Sequence, residues 1–130
     1  MRGKLITSLL AGMMLALGGC EVLTESGIIA ICKKLRAKLP KTKILLLAVF
    51  PRAEKPCPQR EKIDKANKIV SKIADGKMIH YLDIGPKFLE PDESISKEIM
   101  PDFLHLTPKG YQIWAEAMEP TVAKLMGEKK

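Results

Sequence analysis

The stretch KILLLAVF, residues 43 to 50, is a continuous apolar run that ends directly before a proline. A run of this length is typical of a strand that is buried on both faces of a parallel sheet. MIHYLDI, residues 78 to 84, is a second predicted strand. Between the two, residues 59 to 74 carry apolar side chains at helical spacing, and an Asp-Gly pair ends this predicted helix. Strand, helix and strand in this order predict a βαβ unit of an α/β protein.

Two further predicted helices flank this unit. Residues 27 to 39 carry an apolar stripe with lysine and arginine between its members, which indicates an amphipathic helix that ends before Pro40. Towards the carboxyl terminus, Thr107 and Pro108 are typical of an N-cap and a first helical residue. The helix that follows contains Pro120, which we expect to kink or interrupt it.

The segments that follow the two predicted strands should meet at the carboxyl edge of the sheet, where open α/β proteins bind ligands. In the first segment, Arg52 and Glu54 are candidates for the mouth of a pocket, although a solvated loop is the simpler interpretation. In the second, PDFLHLTPKGYQIWAEAMEP, residues 101 to 120, places Asp102 three residues before His105. An imidazole can take a proton from a hydroxyl when a carboxylate fixes its tautomer. On spacing alone, a surface ion pair is the simpler interpretation.

Length and composition indicate one globular domain rather than a disordered tail. The chain has 130 residues, of which 46% are hydrophobic and 28% charged, with a formal net charge of +7. Aromatic residues make up only 5%, and no basic stripe interleaves with them. We therefore interpret the charge as lysine-rich, solvated helix faces and expect no nucleic acid partner.

The first twenty residues, MRGKLITSLLAGMMLALGGC, are typical of a targeting segment. Arg2 and Lys4 precede an apolar run that is shorter than the roughly 20 residues a membrane span needs. The run ends in Leu-Gly-Gly-Cys, which resembles a bacterial lipobox. We expect a signal peptide over residues 1–19, an exported domain over residues 20–130, and lipidation of Cys20 that attaches the chain to a membrane of the cell envelope. An ordinary secretory leader or an apolar amino-terminal helix are the alternatives.

The remaining cysteines, Cys32 and Cys57, give no metal-binding pattern, since no CxxC or Cys/His ligand spacing occurs. Cys57 could be free or could pair with Cys32. No metal and no cofactor are expected. A competing hypothesis is a metal site made of four side chains, His80, Asp83, Asp102 and His105. Their spacing matches no ligand pattern. The simpler interpretation of His80 is a structural role.

The run DFLHLTPKGYQIW, from Asp102 to Trp114, resembles the last sequence block of the SGNH (GDSL-type) hydrolases, above all the platelet-activating factor acetylhydrolase catalytic subunits and their bacterial relatives. The likeness extends back through YLDIGPKFLEPD to GIIAICKKLRAKLPKTKILLLAVFPR and covers about residues 27 to 126. It implies a three-layer α/β/α fold with a flavodoxin-like parallel sheet, of which about two strands would be retained. It also implies hydrolysis of small acyl esters without a cofactor, with Asp102 as the orienting acid and His105 as the general base.

The resemblance does not extend to the nucleophile. The family carries its serine in a Gly-Asp-Ser block near the amino terminus and an oxyanion-hole asparagine in a Gly-x-Asn-Asp block, and neither block occurs here. Ser26 is the serine closest to the junction between the expected leader and the expected domain, but it lacks the motif. The only asparagine in the sequence, Asn67, lies in a predicted helix. We expect a truncated esterase that is inactive alone. The alternative is a non-catalytic envelope lipoprotein or binding scaffold.

Overall fold

The computed structural model describes residues 5–8 and 21–127, with side chains from residue 26 onward. Within these residues the chain forms three strands and three α-helices. Two short 3-10 helices, Ser71–Ile73 and Gly85–Phe88, follow α2 and β3 respectively. In chain order the main elements are β1 (Leu5–Ser8), α1 (Glu21–Lys38), β2 (Lys43–Leu47), α2 (Pro58–Val70), β3 (Ile79–Leu82) and α3 (Pro108–Met126).

The three strands form one parallel sheet in the order β1-β2-β3. The central strand β2 is paired on both sides, with Ile44 opposite Ile6 on β1 and opposite Ile79 on β3. This position explains why four of its five residues are buried, as the continuous apolar run predicted. β1 is a strand that the sequence did not predict, because its residues belong to the expected leader.

Helices cover both faces of the sheet, as the expected α/β/α layering requires. Leu46 packs with Cys32 of α1 and Val70 of α2 on one face. Its neighbours Leu45 and Leu47 point to the opposite face, since successive side chains of a strand alternate. That second face carries the larger core cluster, which includes α3 and the segment before it: Leu45, Leu47, Ile84, Phe88, Ile95, Ile99, Met100 and Trp114.

Several boundaries and packing expectations change. α1 begins at Glu21 rather than at residue 27, and within its predicted apolar stripe Ile31 is exposed. We expected Pro120 to kink or interrupt the helix. The predicted interruption is wrong, since α3 is continuous from Pro108 to Met126. Pro120 is solvent-exposed and removes a single backbone donor. The buried residues on either side of it, Trp114 and Ala123, keep the helix packed against the core.

The start of α3 is capped as predicted. The Thr107 hydroxyl accepts a hydrogen bond from the backbone N–H of Gly110 at 3.2 Å, and Pro108 is the first helical residue. The same hydroxyl donates to the Glu98 carbonyl at 2.6 Å. The cap therefore also ties the helix start to the preceding segment.

Cys32 and Cys57 are both free, so they do not pair with each other. Burial raises the pKa of the Cys32 thiol. Cys20 lies outside the described residues, and within those residues no helix has the length and apolar character that a membrane crossing requires. The signal peptide stays a prediction. Its removal would also remove Leu5–Ser8, and with it β1.

Candidate active site

Asp102 and His105 lie together in the turn that precedes α3. Nδ1 of His105 is 2.6 Å from Oδ2 of Asp102. The other carboxylate oxygen, Oδ1, accepts hydrogen bonds from the backbone N–H groups of Leu104 at 3.1 Å and His105 at 2.8 Å. Both oxygens are thus engaged, and the carboxylate is held in one orientation against the imidazole.

These contacts also fix the charge of the carboxylate. The hydrogen bond from the His105 side chain, followed by that from the His105 backbone, lowers the pKa of Asp102 from 3.8 to about 2. At neutral pH the carboxylate is ionised, so the proton of a neutral imidazole belongs on Nδ1 and Nε2 keeps its lone pair. The side chain of His105 is 78% exposed. The pair therefore presents an accessible base to any hydroxyl that approaches from outside.

Backbone hydrogen bonds fix the turn that contains Asp102 and His105, both within the turn and directly after it. Phe103, between the two site residues, has a positive φ of 56°. Its N–H donates to the Met100 carbonyl at 3.0 Å and its carbonyl accepts from the Ala53 N–H at 3.1 Å. After the turn, the Thr107 N–H donates to the Ile99 carbonyl at 2.9 Å. The turn is therefore fixed by contacts with other segments as well as by the pair itself.

The segments after β2 and β3 meet at the carboxyl edge of the sheet, as predicted. A Cβ placed on Gly85 would lie 3.0 Å from Cδ of Pro51, so the two segments are in close contact. Arg52 is half-buried, with no hydrogen-bond partner for its Nε, while Glu54 is exposed. Neither side chain is hydrogen-bonded to the Asp102/His105 pair, and the solvated-loop interpretation suits Glu54.

Of the four side chains in the competing metal hypothesis, Asp102 and His105 contact each other, and the other two have different partners. Nε2 of His80 is 3.1 Å from the Lys77 carbonyl, and Asp83 accepts a hydrogen bond from the Gly85 N–H at 2.8 Å. Among residues 26–127, no group of three or more His, Cys, Asp or Glu side chains is arranged to hold a metal ion. The contact of His80 suits the structural role that the sequence favoured for it.

In the part of the chain whose side chains are described, no hydroxyl or thiol is hydrogen-bonded to His105. Ser26 is exposed on α1, which packs on the face of the sheet opposite α3. Asn67 is buried, and its amide is already used. It accepts from the Val49 N–H at 2.8 Å and donates to the Val49 carbonyl at 2.9 Å. Asn67 therefore anchors α2 to the segment directly after β2.

An open cleft of about 280 Å³ lies on the α2 side of the sheet and contains neither Asp102 nor His105. Burial, and then the charge of Asp83, raise the pKa of Tyr81 to about 12, so its phenol is neutral at physiological pH. The cleft is a surface separate from the pair. It is lined by Asp64, Asn67, Lys68, Ser71, Tyr81 and Asp83.

Arg60 is a residue near the site that sequence reasoning missed. It is 7% exposed and donates to the carbonyls of Arg52 at 2.9 Å, Ala53 at 2.6 Å and Glu93. It lies in the first turn of α2, where the positive end of the helix dipole disfavours a cation. That unfavourable placement is the signal from which its role in the tertiary structure could have been suspected.

The described residues define a protein of the α/β class, with a parallel sheet covered by helices on both faces and a carboxylate–imidazole pair directly ahead of α3. The sequence model of the GDSL-like Lipase/Acylhydrolase family matches residues 6–113. The chain belongs to this family, as the resemblance of its last block predicted. The matched range begins within the expected leader, close to the start of β1.

Individual relatives agree with this assignment. The chain is 36% identical over 104 residues to platelet-activating factor acetylhydrolase IB subunit alpha2 of Rattus norvegicus, covering 78% of this chain and 45% of the relative. Among solved structures, it is similar to a GDSL-like lipase of Bacteroides thetaiotaomicron, with a TM-score of 0.63, 23% identity and coverage of 81% and 53%.

A second solved structure, assigned to an acylhydrolase of Bacteroides fragilis, gives a TM-score of 0.70 at 18% identity, with coverage of 94% of this chain and 61% of that one. At such low identities these structures confirm the fold alone. The chain spans about half the length of the curated relatives it matches.

Proposed function

We propose that this chain supplies the acid–base half of an acyl-ester hydrolase site. The observation that carries the proposal is the 2.6 Å contact between Asp102 and His105, with the imidazole exposed beyond it. Membership of the GDSL-like Lipase/Acylhydrolase family supports it, and so does the alignment of most of the chain with platelet-activating factor acetylhydrolase subunits. The substrate class would be a small acyl ester.

The proposed chemistry needs no cofactor. Nε2 of His105 takes the proton of a nucleophilic hydroxyl as its oxygen attacks the acyl carbonyl, and Asp102 stabilises the imidazolium that forms. The same imidazolium then donates its proton to the leaving alcohol. In the second half of the cycle, His105 activates a water molecule in the same way, and hydrolysis of the acyl intermediate releases the acid.

The nucleophile has to come from outside the described pair, because no described hydroxyl is hydrogen-bonded to His105. The resemblance to the family implies that the nucleophile is the serine of a Gly-Asp-Ser block, and this sequence has no such block. Loss of the nucleophile removes the covalent route, and loss of one oxyanion donor alone raises the barrier by about 2.7 to 4 kcal/mol. We expect the chain by itself to be inactive as a serine esterase.

The first experiment treats the full chain with a fluorophosphonate probe and with p-nitrophenyl acetate, alongside His105→Ala. We expect no labelled serine in either protein, since a fluorophosphonate reacts only with an activated hydroxyl. A labelled serine that disappears in His105→Ala would mean that this chain contains its own nucleophile. The need for a second half would then be rejected.

The second experiment adds the amino-terminal, Gly-Asp-Ser-containing half of a family member to the chain. We expect fluorophosphonate labelling and ester turnover that require both halves and are lost with His105→Ala. Binding of the two halves without label or turnover would reject the acid–base role. It would favour the alternative of a non-catalytic binding scaffold.

The cellular address is a separate proposal. The Leu-Gly-Gly-Cys sequence at residues 17–20 favours export and lipidation of Cys20 in the cell envelope. Incorporation of labelled palmitate that is lost in Cys20→Ala would support it, whereas incorporation that survives the change would reject it. The mass of the purified protein adds a further test, since a chain that keeps Leu5–Ser8 has not lost its leader.

A further inference from the structure

Within residues 5–8 and 21–127, three residues other than glycine have a positive φ: Ala53 at 69°, Glu93 at 62° and Phe103 at 56°. Side chains with a Cβ rarely adopt this backbone conformation, and it persists where surrounding contacts impose it. The three residues lie in three different segments of the chain. Phe103 is the one that stands between Asp102 and His105.

Hydrogen bonds connect these three residues through one guanidinium group. Nη2 of Arg60 donates to the Ala53 carbonyl at 2.6 Å, and its Nη1 donates to the Glu93 carbonyl. Ala53 in turn donates its N–H to the Phe103 carbonyl at 3.1 Å. A continuous path therefore runs from the side chain of Arg60, through the backbone of Ala53, to the turn that carries the Asp102/His105 pair.

Arg60 does not stabilise α2, the helix in which it lies. A cation in the first turn of α2 faces the positive end of the helix dipole, and this one is 7% exposed. No carboxylate within the described residues forms an ion pair with it, so backbone carbonyls alone take up its donors. Only a planar guanidinium can direct several N–H groups at fixed angles to three separate carbonyls.

We propose that Arg60 is a positioning residue for the candidate active site, which holds Ala53 in its left-handed conformation and thereby fixes the Asp102–His105 turn. The proposal rests on the role assigned to the pair above, but it concerns geometry that exists without a nucleophile. Arg60 is hydrogen-bonded to neither site residue, so the proposed effect is transmitted through Ala53 and Phe103. Loss of the guanidinium should release the loop after β2 and let the turn rearrange.

The test is carried out by NMR on the full chain, so that it does not depend on ester turnover. The variants are Arg60→Ala and Arg60→Lys, which keeps the charge but not the planar donor group, with Lys65→Ala as a matched loss of an exposed cation from the same helix. The readouts are the titration of the Asp102 carboxyl carbon and the exchange rate of the Ala53 amide.

In both Arg60 variants we expect the pKa of Asp102 to rise from about 2 towards its ordinary value of 3.8. We also expect Ala53 amide exchange to accelerate by roughly tenfold or more, while Lys65→Ala changes neither readout. A merely structural role would lower the melting temperature and leave the titration of Asp102 in the folded protein unchanged, which would overturn the proposal.

If Arg60→Ala does not fold, Arg60→Lys decides the question. The unmodified protein gives an independent check, because an Ala53 amide that exchanges at the unprotected rate rules out the path to Phe103 whatever the variants do. Failure of ester hydrolysis in the two-half experiment leaves these readouts untouched, so the two proposals can fail separately.

Discussion

Two aspartates in this protein organise turns in nearly the same way, and only one of them engages a histidine side chain. In the turn before β3, a single oxygen of Asp75 accepts from three successive N–H groups, those of Lys77, Met78 and Ile79, at 2.8, 2.7 and 2.9 Å. In the turn before α3, one oxygen of Asp102 accepts from two backbone N–H groups and the other faces an imidazole.

The two carboxylates have the same acidity for different reasons. The pKa of Asp75 is lowered to about 2 chiefly by the backbone N–H of Ile79 and its neighbours, whereas the pKa of Asp102 is lowered to about 2 chiefly by the side chain of His105. The histidine nearest Asp75 in sequence, His80, is directed to the Lys77 carbonyl instead. A low pKa therefore does not mark the candidate site; the direction of the histidine does.

The largest expected effect separates the two aspartates by activity. In the two-half assay, Asp102→Asn should lower ester turnover roughly 10⁴-fold, because the amide favours the wrong imidazole tautomer. Asp75→Asn should leave turnover nearly unchanged, since Asp75 holds no histidine side chain. Turnover is measured with p-nitrophenyl acetate on folded proteins. An equal loss in both variants would contradict the distinction between a structural turn and a catalytic one.

The next effect concerns the packing that supports the Asp102 turn. A Cβ on Gly110 would lie 2.8 Å from Cδ2 of Leu106 and 3.0 Å from the Ile99 carbonyl. Gly110→Ala should therefore lower the free energy of unfolding by about 1–3 kcal/mol through overpacking, measured by denaturant titration. Gly27→Ala is the matched control, because nothing lies within 4 Å of its Cβ and alanine favours a helix. Destabilisation by both would point to a cause other than packing.

The Asp75 turn depends on backbone conformation rather than on space. Gly76 has a φ of 67°, and an added Cβ would meet nothing within 4 Å. Gly76→Ala should lower the free energy of unfolding by about 1 kcal/mol because alanine disfavours this conformation. NMR should show the Asp102 titration unaltered. A change in that titration would mean that the two turns are coupled.

The smallest expected effect is the dependence of stability on acid. The folded-state pKa values of Asp75 and Asp102, both about 2, lie below their ordinary value of 3.8. Their stabilisation is therefore fully present above about pH 4 and is lost as the pH falls through about 2. Asp75→Asn and Asp102→Asn should each flatten this loss, and the double variant should flatten it further. The loss of stability is measured from denaturation midpoints between pH 5 and pH 2. If the variants and the unmodified protein lose stability equally over this range, the low pKa values of the two aspartates would be rejected.

Local sequence patterns predicted much of the fold. The apolar run that forms β2, the helical spacing of α2 and the Thr107–Pro108 start of α3 each arise within a few neighbouring residues. Such signals are readable because strand burial, helix periodicity and capping depend on adjacent side chains. The family could likewise be identified from the Asp102–Trp114 block and the wider likeness over about residues 27 to 126, and the chain's membership of that family is confirmed.

Other features were not readable because they join distant parts of the chain. The pairing of Leu5–Ser8 with β2 depends on a partner far along the sequence, while the apolar pattern of those residues equally suits a leader. The continuity of α3 through Pro120 depends on the packing of its buried side. The position of Arg60 in the first turn of α2 is unfavourable for a cation, but its burial against three carbonyls is visible only in the tertiary structure.

The sequence by itself determined that Asp102 and His105 could meet, because three residues of chain limit how far apart they can be. It also placed them ahead of a capped helix at the carboxyl edge of a parallel sheet. Only the tertiary structure decided that they do meet. Phe103 adopts a positive φ, its N–H donates to the Met100 carbonyl, and its carbonyl accepts from the Ala53 N–H. Such a conformation is unfavourable locally, so it depends on contacts from residues that spacing in the sequence does not bring together.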